Sequence, residues 1–173
     1  MSTHLSISQP RTVSQAEKLP SLLVIGYGNP THGDDAIGSQ VTNLVKELGL
    51  RNVEVCAVEQ LMPELSPKLA TVDYAIFVHG CCLMSRENVK VSTLEACGWE
   101  TAGSSVPGWG NSYHPCSLLA LTHSFYGHHP QSWLVKVAAQ DFVSGHHLSH
   151  RANQSIENAL EQILALIRQC ISE

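Results

Sequence analysis

The sequence predicts an α/β protein, a three-layer sandwich with a largely parallel five-stranded sheet and helices on both faces. Three observations predict it. Short, nearly continuous apolar runs recur along the chain, as expected of strands buried on both faces. Segments with helical spacing of apolar residues alternate with them. The first apolar run opens into a glycine-rich polar loop and then at once into a helix. Right-handed crossovers would distribute the helices over both faces, with ligands gathering at the carboxyl ends of the strands.

Leu22 to Gly26 reads Leu-Leu-Val-Ile-Gly, a buried strand ended by glycine. A loop from Tyr27 to Gly33 follows. Ile37, Val41, Leu44, Val45 and Leu48 then share one helical face, with Asp34 as N-cap and Gly49 as the C-terminal stop. Val53 to Val58 is the second strand. Leu61 to Leu69 is a helix that accepts Pro63 in its first turn. Val72 to Val78 is the third strand, and it ends at His79-Gly80. Asn88 to Leu94 alternates like a fourth strand. Residues 96–111 hold four glycines and one proline and read as a long loop, with Trp99 and Trp109 as partner contacts or core. Pro115 to Phe125 is a helix stopped by Gly127, and Trp133 to Ala138 is the fifth strand. Ile156, Leu160, Ile163, Leu164, Ile167 and Ile171 mark the last helix.

The length of 173 residues fits one domain. Residues 1–20 are polar, lack the apolar run of a signal peptide, and read as a disordered or loosely attached tail ahead of a single domain at 21–173. The formal charge of −5 and the absence of a basic excess argue against nucleic acid and anionic membrane as partners. No stretch approaches the roughly 20 apolar residues of a membrane helix. The six cysteines, Cys56, Cys81, Cys82, Cys97, Cys116 and Cys170, form no C-x-x-C pair. They are expected to be reduced and to pack as small apolar residues, which points to the cytoplasm.

The densest polar cluster is Gly26-Tyr27-Gly28-Asn29-Pro30-Thr31-His32-Gly33-Asp34-Asp35-Ala36-Ile37-Gly38. A dinucleotide fingerprint is disfavoured: Thr31 takes the third glycine position, and two carboxylates at the helix start would repel a pyrophosphate. No Gly-Lys-Ser or Gly-Lys-Thr is present for a P-loop. A glycine-rich turn with acidic capping explains Gly26, Gly28 and Asp34, but it does not require Asp35. A carboxylate in the first helical turn stays ionised, as a metal ligand must.

This stretch resembles the N-terminal signature of the hydrogenase maturation proteases (peptidase family M52), a G-x-G-N turn leading to an acidic pair and a glycine. The resemblance implies that the second acidic residue, Asp35, is a metal ligand. Weaker matches follow in the same order. Ile76-Phe77-Val78-His79-Gly80 stands where the family has a strand ending in Asp-Ala. Ser112-Tyr113-His114 matches a Ser-x-His segment, and Gly145-His146-His147-Leu148-Ser149 matches a Gly-x-x-Leu-Ser segment before the last helix. One departure matters: His79 replaces the aspartate that serves as the second metal ligand. Imidazole is also a good nickel or zinc ligand, so Asp35, His79 and His114 remain the expected ligand and catalytic set. Gly28, Asn29 and His32 are candidate substrate-loop residues.

The resemblance implies an endopeptidase that removes the C-terminal extension of a nickel-loaded nickel–iron hydrogenase large-subunit precursor. Nickel, held mainly by the precursor, would be the recognition element, and no organic cofactor is expected. The alternative is a non-catalytic nickel-loading checkpoint or metal-binding module of the same fold, motivated by His79. Other chemistry is poorly supported. There is no G-x-S-x-G elbow and no H-E-x-x-H helix. Cys81 and Cys82 follow closely on His79, but adjacent strand residues point to opposite faces. His128, His129, His146, His147 and His150 read as surface residues.

Overall fold

The apolar runs form five strands: β1 (Leu22–Tyr27), β2 (Val53–Val58), β3 (Tyr74–Cys81), β4 (Val89–Leu94) and β5 (Gln131–Ala138). Four α-helices accompany them: α1 (Ile37–Glu47), α2 (Ser66–Leu69), α3 (Pro115–Tyr126) and α4 (His150–Ser172). The computed structural model describes residues 19–82, 87–97, 113–143, 145 and 147–172. The tail to residue 18, residues 98–112 with Trp99, Trp109 and Ser112, and His146 lie outside the described residues.

The sheet order is β2-β1-β3-β5-β4. β1 is parallel to β2 and β3, and β3 is parallel to β5. β4 is antiparallel to β5, so the sheet is mixed rather than largely parallel as expected. The reason is connection length. Only residues 82–88 separate β3 from β4, and a parallel return takes a dozen residues or more. The chain must therefore turn back along the edge. The alternation that revealed β4 sets its faces, not its direction.

Successive residues of each strand enter opposite cores. Leu22, Val24, Ile76, Val78 and Val135 pack under Ile37, Val41 and Val45 of α1 and Ala159, Ile163 and Ile167 of α4. Leu23, Ile25, Ala75, Phe77 and Leu134 pack under Leu61, Leu69 of α2, and Leu118 and Leu119 of α3. Helices therefore cover both faces, as the sequence predicts.

Several boundaries moved. β3 starts at Tyr74 and runs on to Cys81, so His79 lies inside the strand rather than beyond its end. Its neighbour β5 continues to Ala138, and the paired backbone extends both strands. The segment from Leu61 breaks into a 3-10 turn, Pro63–Leu65, and the single turn of α2. Pro63 and Pro67 each sit in a first turn, where a missing N–H costs nothing, but neither can continue a helix that precedes it. α1 stops at Gly49 as expected, with φ of 57° and its N–H donating to the Lys46 carbonyl at 3.1 Å. No helix among the described residues is long and apolar enough to cross a membrane.

β1 and α1 meet backbone to backbone. A Cβ on Gly26 would lie 2.1 Å from the Gly38 carbonyl oxygen, so only glycine allows the approach. This contact fixes how the loop between them leaves the carboxyl end of the sheet.

Candidate functional site

That loop folds back through its own carboxylates. Asp35 Oδ2 accepts a hydrogen bond from the Asn29 N–H at 2.7 Å. Gly28, at φ of 136°, passes so close that a Cβ there would come within 2.1 Å of the Asp35 carbonyl oxygen. Asn29 Oδ1 accepts from the Thr31 N–H at 2.9 Å and its hydroxyl at 2.7 Å. His32 forms a single β-bridge with Gly145, and its Nδ1 lies 3.1 Å from the Thr31 hydroxyl. The candidate residues Gly28, Asn29 and His32 thus shape one loop and hold Asp35 at its rim.

Asp34 does not cap α1, contrary to expectation. Residues Gly33–Ala36 form a 3-10 turn, and no side chain caps it. The Asp34 side chain is turned inward and fully buried. Its Oδ2 accepts from the Gln140 N–H at 2.7 Å, the Asp141 N–H at 2.9 Å and the Ser149 hydroxyl at 2.6 Å. Its Oδ1 accepts from the Ser149 N–H at 2.6 Å. Burial pushes this carboxyl up, but the Ser149 hydroxyl and the three backbone donors outweigh burial and hold it below its ordinary value. The N-cap explanation failed because donors more than a hundred residues away in sequence took the carboxylate first.

The sheet supplies the floor. On the face toward α3, His79 of β3 is level with Lys136 of β5, which is opposite Lys90 of β4. Tyr27 of β1 stacks on His79 with ring centroids 4.8 Å apart and planes 16° apart. Tyr27, His79, Lys136 and Lys90 thus form one row across four adjacent strands. Cys81 is two residues beyond His79 and therefore on the same face. Burial, with the nearby Cys81 and Asp35, raises the Tyr27 phenol, so it stays protonated and neutral.

His114 closes the row from above as the N-cap of α3. Its Nδ1 accepts from the Cys116 N–H at 3.2 Å and lies 2.9 Å from Cys116 Sγ. A ring nitrogen that accepts carries no proton, so in the neutral ring the proton sits on Nε2. In this capped state His114 therefore presents a donor, not a ligand lone pair. Burial, then the positive charge of Lys136, lowers its proton affinity.

The same two effects act more strongly on His79. Burial first, then Lys136 and His114, pull it down to about 4 against a hydrogen bond with the Gly80 backbone. The unfolded chain takes up this proton near the ordinary 6.5. Between these values the unfolded state binds more protons, so stability present above about 6.5 is lost as pH falls toward 4. Denaturant titrations at pH 7 and pH 5 should differ by about 2 kcal/mol. His79→Phe should remove most of that difference; an unchanged difference in the variant would refute the assignment.

His79 and His114 are therefore brought close enough to sense each other, and Asp35 joins them through Tyr27. Among the described residues, however, no group of three or more His, Cys, Asp or Glu side chains is arranged to hold a metal ion. Sequence reasoning missed Tyr27, Lys136 and Cys116, and it set Cys81 aside although a residue two beyond His79 in the strand shares its face. Only strand register and the docking of α3 place them here.

The expectation of six reduced cysteines also needs correction. Cys97 and Cys116 form a disulfide across a separation of 19 residues, while Cys56, Cys81, Cys82 and Cys170 are free. The Cys97 N–H donates to the Cys116 carbonyl at 3.2 Å, so the end of β4 and the start of α3 are already neighbours. Nothing in the spacing signalled that contact. Denatured, unreduced protein should titrate four thiols, against six after reduction. Six thiols without reductant would exclude the bond.

No protein-family model and no curated protein matches the chain. Solved structures do. The hydrogenase maturating endopeptidase HybD from Escherichia coli is 23% identical with a TM-score of 0.65, over 86% of this chain and 93% of that one. A hydrogenase 2 maturation peptidase from a Thaumarchaeota archaeon is 21% identical with a TM-score of 0.62, over 85% and 97%. The NiFe hydrogenase maturation protease HycI from Thermococcus kodakarensis is 19% identical with a TM-score of 0.61, over 91% and 96%. At these identities the likeness establishes a shared fold across nearly the whole of each chain.

Proposed function

We propose that this chain is a hydrogenase-maturation endopeptidase that removes the C-terminal extension of a nickel-loaded nickel–iron hydrogenase large-subunit precursor. The observation that carries this reading is the position of Asp35, at the rim of the β1–α1 loop in a fold that spans 93% of HybD. His79 and His114 border the same end of the sheet.

Nickel enters this reading as part of the substrate. Carboxylate and imidazole suit it by donor type. The fit is incomplete in the free protein, since His114 Nδ1 is engaged in the cap and no three such side chains are arranged around one point among the described residues. When bound, nickel would act as a Lewis acid beside the scissile peptide. The protein's own groups would do the rest. Asp35 Oδ2 is anchored on Asn29, so its carboxylate is already oriented before substrate arrives. His114 offers its Nε2 proton to a developing negative charge. Tyr27 and His79 form a neutral, water-poor wall.

The test is direct. Purified protein incubated with nickel-loaded precursor should yield the shortened large subunit by mass spectrometry and leave nickel-free precursor intact. No cleavage of either precursor would remove the activity.

A second reading is favoured by Lys136. A fixed positive charge beside two imidazoles opposes a divalent ion there. The protein would then be a checkpoint that binds precursor without hydrolysis. His79→Asp separates the two. A large gain of cleavage from an inactive parent would establish the checkpoint, and loss from an active parent would establish the peptidase.

A further inference from the structure

Lys136 lies on β5, an interior strand of the sheet, and is half-buried. A lysine there is unusual, because a partly desolvated ammonium is costly unless a counter-charge faces it. Among the described residues neither Lys136 nor Lys90 has an acidic group within ion-pair reach, whereas Lys68 is paired with Glu54 at 2.7 Å. Lys90 is directly opposite Lys136 in an antiparallel pairing, where like charges repel. Alone, Lys90 would read as a charge that guards an edge strand. Lys136 has no such role, since β4 already covers its strand. The rest of the row is the pair of stacked rings of His79 and Tyr27, which brings no carboxylate to Lys136. His114 reaches the same field from α3 with an Nε2–H to donate. Two cations and a neutral donor thus share this face, with no acidic side chain in ion-pair reach of either lysine among the described residues.

We propose that Lys136 and Lys90, flanked by His79 and His114, form a carboxylate-binding subsite whose ligand is the C-terminal carboxylate of a peptide chain. This rests on the peptidase reading, because hydrolysis at the neighbouring Asp35 leaves such a carboxylate on the shortened chain. The subsite would hold that new chain end after cleavage and release it as the slower step. Lys136 is the anchor, since its ammonium gains most from an opposite charge in a partly dry setting. Lys90, more exposed, adds a smaller attraction.

Three peptides test the subsite in the whole protein: N-acetyl-trialanine with a free carboxylate, its C-terminal amide, and N-acetyl-Ala-Glu-Ala amide. Binding is read from the ring resonances of His79 and His114 by NMR. The free acid should shift both saturably and bind at least about tenfold more tightly than either amide. Lys136→Gln should remove that preference, and Lys136→Arg should retain it, which distinguishes charge recognition from a folding defect. Equal binding of acid and amide would overturn the subsite. Preference for the glutamate peptide would overturn the chain-end assignment. The binding test needs no turnover. Discrimination without any cleavage would sink the peptidase and leave the subsite standing, while cleavage without discrimination would do the reverse.

Discussion

Asp34→Ala should lower the melting temperature by roughly 6–20 °C, more than any other single change in the loop. The carboxylate is fully buried and accepts four hydrogen bonds, from Gln140, Asp141 and twice from Ser149. Removing it strands three backbone N–H groups in a dry setting. Truncating one partner of such a buried, charged network costs about 3–5 kcal/mol. The damage extends to α4, because the Ser149 hydroxyl held by Asp34 also accepts the Ala152 N–H at 3.1 Å and so caps that helix. Asp141→Ala is the control. Its carboxylate is exposed and accepts only the Val143 N–H among the described residues, so the loss should stay below about 1 kcal/mol. Calorimetry on both variants decides the matter. Equal, small shifts would mean that Asp34 is no clamp.

Asp35→Asn should abolish cleavage of nickel-loaded precursor, leaving less than about 1% of the parent rate, while moving the melting temperature by only a few degrees. The neighbouring carboxylates thus divide the work. Asp34 holds Gln140, Asp141 and Ser149 together, whereas the Asp35 side chain makes one bond among the described residues, to the Asn29 N–H, and remains at the rim. Asparagine keeps the shape and an oxygen for that bond but removes the negative charge. A variant that unfolds would show a general structural role instead. One that cleaves at the parent rate would exclude Asp35 from the chemistry.

The division between Asp34 and Asp35 shows how far the sequence could be read. Their presence at the start of a helix was plain, and the resemblance singled out Asp35. Capping was the local explanation available for Asp34, and it failed because the competing donors arrive from residues 140–149. His79 was found by position in a motif, but its neutrality was not, since that depends on Tyr27 above it and Lys136 beside it. His114 was found the same way, and its tautomer depends on the Cys116 N–H. The direction of β4 and the pairing of Cys97 with Cys116 were equally hidden.

By itself the sequence determined the strands, the helices, the two-sided burial of the sheet and the loop that carries Asp35. These depend on periodicity and on local backbone chemistry, which are written in consecutive residues. Only the tertiary structure decided which charges face one another. The row Tyr27, His79, Lys136 and Lys90 draws one residue from each of four strands, and its register is set by hydrogen bonds between chain segments that no local pattern encodes.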